Sequence, residues 1–317
     1  GDNMKMKDIA KELGLSIATV SRVVNGHENV SEETKKKVQD FIEKKNYTPN
    51  VIAQNLSKME NKTVALLVPN ISNPFFATLI NYICKNFNKC GYQIALYNTV
   101  ESLEQEKEAI KNIMGHRIAG VIAILIAGEY EVNPLEPLLR HKIPVYLLDR
   151  EFENSKLSGV FLDNYKGAYN ITRKLLESGH RDIALITGNL DFLNARERMR
   201  GYIEAHRDFQ VKFKEENIYE GDYLFESGYE IGKKLLKTSV SAIFSSNNLM
   251  LCGVLKALKE REKEIQLACF EKTDFFQLLD REIISCSIPL EEMGEKIYEL
   301  FINKSKNKKI YIEPILS

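Results

Sequence analysis

The chain has 317 residues, and its 44 Lys/Arg balance 44 Asp/Glu, so zero net charge leaves any nucleic-acid role to be carried by a motif. That length suits two or three domains, and 44% hydrophobic with 28% charged residues excludes a disordered or fibrous chain. No apolar run approaches the ~20 residues of a membrane span, and the opening GDNMKMKDIA lacks the apolar core of a secretory signal.

Five cysteines (Cys84, Cys90, Cys252, Cys269, Cys286) are scattered, odd in number and without a CxxC pair. This argues against a disulfide framework or zinc site and for a reducing, cytoplasmic setting. No metal and no cofactor are expected.

Residues 6–46 read as short helices. Residues 1–58 hold ten Lys/Arg against eight Asp/Glu, only mildly basic. In KDIAKELGLSIATVSRVVNG, Ile9, Ala10 and Leu13 share one helical face, and Val20, Val23 and Val24 share another. Between them Gly14 permits a tight turn, Leu15 plugs the angle between helices, and Ser16 caps the second helix. That second helix exposes Ile17, Ala18, Ser21 and Arg22, with small residues in its first turn that let it press into a major groove. Arg22 can fork onto a guanine, Ile17 and Ala18 suit a thymine methyl, and Ser16, Thr19, Ser21 and Asn25 offer donors to phosphates. Asn29 and Asn50 join them as DNA-contact candidates. A third helix starts at Ser31, carries Glu32 and Glu33 at its N-terminus, and closes the core with Val38, Phe41 and Ile42.

Residues 47–61 form a polar connector. Pro49 suits a first helical turn, and Asn50 to Leu56 make about two turns, too short to be stable alone in water. Ala53 and Leu56 lie on one face of them. From Thr63 onward apolar strand-like runs alternate with helical patterns, the sign of βαβ units and parallel sheets. The runs are Val64–Val68, Tyr92–Tyr97, Val121–Leu125 and Val145–Leu148, then Val160–Leu162, Ile183–Ile186 and Ala242–Phe244. Helices fall at about 74–89, 103–116, 165–177, 195–209 and 249–259. Two similar α/β halves predict a bilobed domain, with strand-end loops facing a cleft.

The run SxxTVSRVxN, the Ser-capped helix after it, and Tyr47 with Pro49-Asn50 resemble the lactose/galactose repressor family of bacterial transcription regulators. The resemblance extends through VALLVPNISNPFFATLI, PVYLLDR, VFLDNYKGA, GHRDIALITG, ARERMRGYIEA, AIFSSNNLMLCGVLKAL and CFEKTD, weakening after about Glu260. It implies a small all-α helix-turn-helix domain (1–47), a hinge helix and linker (48–61), and a bilobed α/β effector domain (62–317) like a periplasmic binding protein. Lobe one is expected at about 62–160 plus 290–310, and lobe two at about 161–289. The resemblance also implies that the hinge folds on operator DNA and pushes Leu56 into the minor groove as a kinking wedge, with Ala53 allowing close approach. Its effector residues map onto Asn73, Phe75, Phe76, Asp149, Arg150, Arg198, Asn247 and Glu271. Aromatic faces and planar polar groups of this kind suit a polyol.

Departures are present. Cys269-Phe270-Glu271 stands where members usually carry Gly-Phe-Asp, Asn247-Asn248 where they carry Asn-Asp, Ile288 where many have Gln, and Gln54 where many have Arg. The end KIYIEPILS has no heptad-repeat tail, so a homodimer on a pseudo-palindromic, double-stranded operator is expected. A transport protein of the same fold would have no helix-turn-helix. An enzyme finds no GxSxG, HExxH, P-loop or GxGxxG here, and no ligand spacing among the five histidines. The expected function is a DNA-binding repressor of a carbohydrate operon, controlled by a sugar in the cleft. The alternative is a phosphosugar or partner protein as corepressor, as in the catabolite-control branch.

Overall fold

The computed structural model describes residues 6–24, 29–45, 61–126, 130, 132–260 and 264–317. Asn25, Asn50, Ala53, Leu56 and the expected hinge helix lie outside the described residues. The chain divides into two compact units, Gly1–Asn61 and Lys62–Ser317.

In the first unit, helices α1 (Met6–Leu13), α2 (Ile17–Val24) and α3 (Glu32–Lys44) close over Ile9, Ala10, Val20, Val23 and Val38. Leu13, Leu15, Val24, Val30, Phe41 and Ile42 pack around that core. The turn after α1 needs a left-handed residue, and Gly14 takes it with φ +64°. The Leu15 N–H then bonds the Ala10 carbonyl at 2.9 Å. Ser16 Oγ accepts the Thr19 N–H at 3.0 Å, capping α2, and the Ser31 side chain accepts from Thr34 to cap α3.

The second unit holds two six-stranded sheets. The first lobe runs β1 (Thr63–Val68), α4 (Pro74–Lys89), β2 (Gln93–Asn98), α5 (Leu103–Met114), β3 (Gly120–Ala123), α6 (Glu136–Arg140), β4 (Val145–Asp149) and β5 (Gly159–Leu162). The second runs α7 (Asn164–Glu177), β6 (Ile183–Thr187), α8 (Leu193–Asp208), β7 (Ile218–Glu220), α9 (Phe225–Leu235) and β8 (Ala242–Ser245). It continues through α10 (Asn248–Lys259), β9 (Gln266–Glu271) and β10 (Ile283–Ser287). The chain then returns through α11 (Leu290–Ile302) and β11 (Lys309–Ile312), and ends on β12 (Ile315–Leu316).

Strand order is β11-β5-β4-β3-β1-β2 in one sheet and β12-β10-β9-β8-β6-β7 in the other. All pairings are parallel except β10 with β12. Helix α11 packs on α4 and β11 pairs with β5, so the chain crosses between lobes after Leu162, Ser287 and Ile312. Among the described residues no helix is long and apolar enough to cross a membrane.

Period two decides the packing of the strands. Val64, Leu66 and Val68 of β1 join the cluster holding Phe76, Leu79 and Ile83, while Ala65 and Leu67 join Ile110 and Ile113 on the opposite face. The Val121–Leu125 run stops pairing at Ala123. Just beyond it the backbone polar groups leave the ladder for side chains: Arg150 donates to the Leu125 carbonyl, and the Ile126 N–H donates to buried Glu106.

Helices α7 and α8 touch where Gly201 has no side chain. A Cβ there would stand 2.3 Å from the Tyr165 carbonyl oxygen and 2.8 Å from the Tyr169 nitrogen, both backbone atoms that cannot swing away. Gly201→Val is therefore expected to destabilise the second unit by about 1–3 kcal/mol through overpacking. Denaturant unfolding compared with wild type measures this, and an unchanged midpoint would contradict the packing described.

Candidate functional site

Two constellations emerge, one in each unit. In the first, Ser16, Ile17, Ala18 and Arg22 are exposed, with Ile17 51% exposed although its neighbours Val20 and Val23 are core. A large aliphatic side chain left in solvent at a capped helix start suits an apolar base contact, because it contributes nothing to the core. The Ser16 and Thr19 hydroxyls bond each other at 2.8 Å. Thr19 and Ser21 are half-buried, and Asn29 is exposed.

In the second unit, β1, β4, β8 and β9 end at one cavity between the lobes. Asn73, Phe76, Asp149, Arg150, Arg198, Asn247 and Glu271 all line it. Phe75 does not. It lies in the lobe-one core with its ring centroid 5.1 Å from that of Phe76, so the expectation for Phe75 is corrected. Successive residues on a helix point about 100° apart, so the two rings leave α4 in different directions. About 20 Å³ of the cavity is free, room for one water.

Each lobe contributes a buried arginine. Arg150 donates Nη1 and Nη2 to the two carboxylate oxygens of Glu101, each at 3.1 Å. Its guanidinium carbon stands 5.7 Å from the Phe76 ring centroid of its own lobe, and 4.7 and 5.7 Å from those of Phe192 and Tyr223 of the other. Arg198 donates Nε to Asn164 Oδ1 at 2.8 Å and Nη1 to the Ser246 carbonyl, and lies 3.7 Å over Phe270. All three partners belong to its own lobe, so Arg198 braces lobe two as well as lining the cavity.

Asn73 and Asn247 are helix caps, accepting from the Phe75 and Met250 N–H groups at 3.0 Å each. Asn247 also donates to the Tyr223 carbonyl at 2.8 Å. Asn248 donates to Glu271 at 2.9 Å and reaches Asn73 across the cleft at 3.4 Å. Two departures thus complement each other, since an amide at 248 meets the longer carboxylate at 271. Asp149 sits at φ 62°, buried, with no hydrogen bond or ion pair to its carboxylate among the described residues. Burial pushes its pKa up, against the pull of Arg150 and Arg198.

Sequence reasoning missed Glu101, Tyr223, Asn194, Leu224, Leu249 and Asn70 in this lining. Glu101 and Tyr223 sit on connections whose approach to the cavity has no local signal. The buried Tyr223 hydroxyl and Ser246 Oγ lack partners, and Asn248 Oδ1 is also unsatisfied. Such groups cost free energy unless water or a ligand meets them, and of the three Tyr223 lines the cavity. Among the described residues no His/Cys/Asp/Glu group has the geometry to hold a metal.

Residues 5–50 match the model for bacterial regulatory proteins of the lacI family, and residues 61–313 match that for periplasmic binding proteins and the sugar binding domain of the LacI family. The chain is 30% identical over 313 residues to catabolite control protein A of Priestia megaterium, covering 96% of this chain and 93% of that protein. It is 32% identical over 317 residues to the HTH-type transcriptional regulator RegA of Clostridium saccharobutylicum, covering 98% and 94%. The lac repressor dimer bound to operator and the anti-inducer ONPF superposes with a TM-score of 0.85 at 20% identity, covering 99% of this chain and 98% of that one.

Glu271 offers a measurement on the cavity itself. Its pKa is pushed up to about 7, first by burial and then by Asp149, against Arg198. A carboxyl that is harder to ionise when folded than when unfolded, near 4.5, binds more protons in the native state between those values. Its contribution is therefore fully present at low pH and is lost as pH rises from about 4.5 to about 7. Glu271→Gln should abolish that loss, so the variant gains on wild type by up to about 3 kcal/mol between pH 5 and pH 8. Urea unfolding at the two pH values reads the difference, and parallel pH profiles would refute the assignment.

Proposed function

Because the chain belongs to the lacI family of bacterial regulatory proteins, we propose that this DNA-binding transcription regulator represses a carbohydrate-utilisation operon and releases or grips its operator according to a polyol in the inter-lobe cavity. The observation that carries the reading is the convergence of Asn73, Phe76, Asp149, Arg150, Arg198, Asn247 and Glu271, from both lobes, on one polar cavity. A ligand touching both lobes favours one lobe arrangement over others by its differential affinity, so effector and operator binding are reciprocal. The protein acts as a homodimer, with two recognition helices spaced about 34 Å apart for successive major grooves. The likeness to a catabolite control protein favours keeping a second reading, a regulator that uses a phosphosugar or a partner protein as corepressor.

The DNA half is tested through Arg22, exposed on α2. Arg22→Ala should weaken operator binding by about 1–3 kcal/mol and relax preference at one base pair. Fluorescence anisotropy against a panel of single-base operator variants measures both, and an unaltered base preference would remove Arg22 from the readout.

The effector half is tested with a thermal-shift screen of neutral mono- and disaccharides, followed by operator binding with and without any hit. Arg198→Met keeps the stem over Phe270 but removes the fork. It should retain operator affinity and lose the response to that sugar, whereas a wild-type response would place Arg198 outside the binding set.

A further inference from the structure

Glu101 reaches the cavity along a strained path. It stands on the turn between β2 and α5, where Val100 and Glu101 have φ 51° and 52°, consecutive left-handed conformations at two non-glycine residues, one of them β-branched. The Thr99 and Glu101 N–H groups pin the turn to the Val68 and Pro69 carbonyls at 2.9 Å each. From there the carboxylate makes its two 3.1 Å bonds to Arg150, whose Nη1 also meets the Leu125 carbonyl. The planar fork with which an arginine grips a phosphate or carboxylate is thus already filled by an internal carboxylate. Asp149 and Glu271 line the same cavity, making three carboxyl groups against two guanidiniums.

From this arrangement we infer that Glu101 sets the charge specificity of the cleft: it occupies Arg150 in place of a ligand's anionic group, so the effector is an uncharged polyol and not a sugar phosphate or sugar acid. The inference rests on reading the cleft as the effector site. An incoming phosphate must displace Glu101, leaving that half-buried carboxylate without its counter-ion beside Asp149. An uncharged polyol displaces no ion pair and donates its hydroxyls to Asp149 and Glu271. Strain held in a turn that delivers one charged group to a site is the pattern expected of a functional constraint rather than of packing.

The test uses the full chain with inorganic phosphate and glucose 6-phosphate, against sodium chloride at matched ionic strength, read by thermal shift and calorimetry. Wild type should show no phosphate binding that depends on Arg150. Glu101→Gln should bind both anions about ten- to a hundredfold tighter than wild type, since one opposing charge is gone. The double variant Glu101→Gln/Arg150→Met should lose that gain. Glu101→Asp keeps the charge and should gain nothing. A folded Glu101→Gln that gains no anion affinity overturns the inference. So does a wild-type phosphate shift that Arg150→Met removes, whether or not the Glu101 variants are stable. Operator affinity measured in parallel separates the two readings. Phosphate acting on wild-type operator binding through Arg150 would overturn the charge assignment yet leave the cleft as the effector site. A neutral sugar that binds wild type without changing operator affinity would count against the effector reading alone.

Discussion

Burying a guanidinium at the meeting point of two lobes is the constraint around which the larger unit is organised. Arg150 is 5% exposed, and a cation so placed is tolerated only when paired and covered. Glu101 supplies the carboxylate from a strained turn, Leu125 supplies a carbonyl by leaving its strand early, and Phe192 and Tyr223 supply aromatic faces from the opposite lobe. One charge thus accounts for the end of β3, the unusual turn after β2 and part of the contact between lobes. Asn248 reaches Asn73 across the cleft in a hydrogen bond weak by its length, and Arg196 of lobe two pairs with Glu153 of lobe one at 2.6 Å. At the cavity itself the contacts between lobes are thus polar and cation–π in kind, of the sort a polyol's hydroxyls can exchange with.

The sheets supply the rigidity that this polar centre lacks. Val64, Leu66, Ile122, Leu148 and Val160 are all fully buried in lobe one, as are Ala242, Phe244 and Phe270 in lobe two, and all belong to one apolar cluster that runs through both lobes. Strand ends fixed by such a core hold cavity side chains more precisely than loops would. The three-helix unit is different in kind. Its core consists of five buried residues from Ile9 to Val38, supported by two serine caps and one left-handed glycine. A core that small supplies little stability of its own, and each cap then matters in proportion.

The pocket departs from its family where the departures compensate. Glu271 is one methylene longer than the usual aspartate, and Asn248 replaces a carboxylate with an amide that donates to it at 2.9 Å. Two carboxylates at that separation would repel strongly in a buried site. The pair therefore preserves a hydrogen-bonded wall with one fewer negative charge. Arg198, held by Asn164 and the Ser246 carbonyl, is likewise part of the wall's construction as well as its chemistry.

What the sequence determined by itself is local in reach. The faces of α1 and α2, the Gly14 turn and the Ser16 and Ser31 caps involve residues within about one helical turn, where backbone geometry leaves few choices. The apolar runs predicted most strands to within a residue or two, because a strand buried on both faces must be apolar throughout. Seven cavity residues were legible because they sit at the carboxyl ends of those strands or inside family motifs. The short edge strand Ile218–Glu220 and helix Phe225–Leu235 escape such a reading because neither has a long apolar run, and so do α6 and the elements from β9 to β12, where short runs or a weaker pattern after about Glu260 give little signal. Only the tertiary structure decided which of Phe75 and Phe76 turns toward the cleft, and which carboxylate serves Arg150. Glu101 lies 49 residues before its partner, on a turn whose left-handed backbone no residue there favours. Pairings at that separation depend on where two sheets carry their loops, and neither spacing nor periodicity encodes that distance.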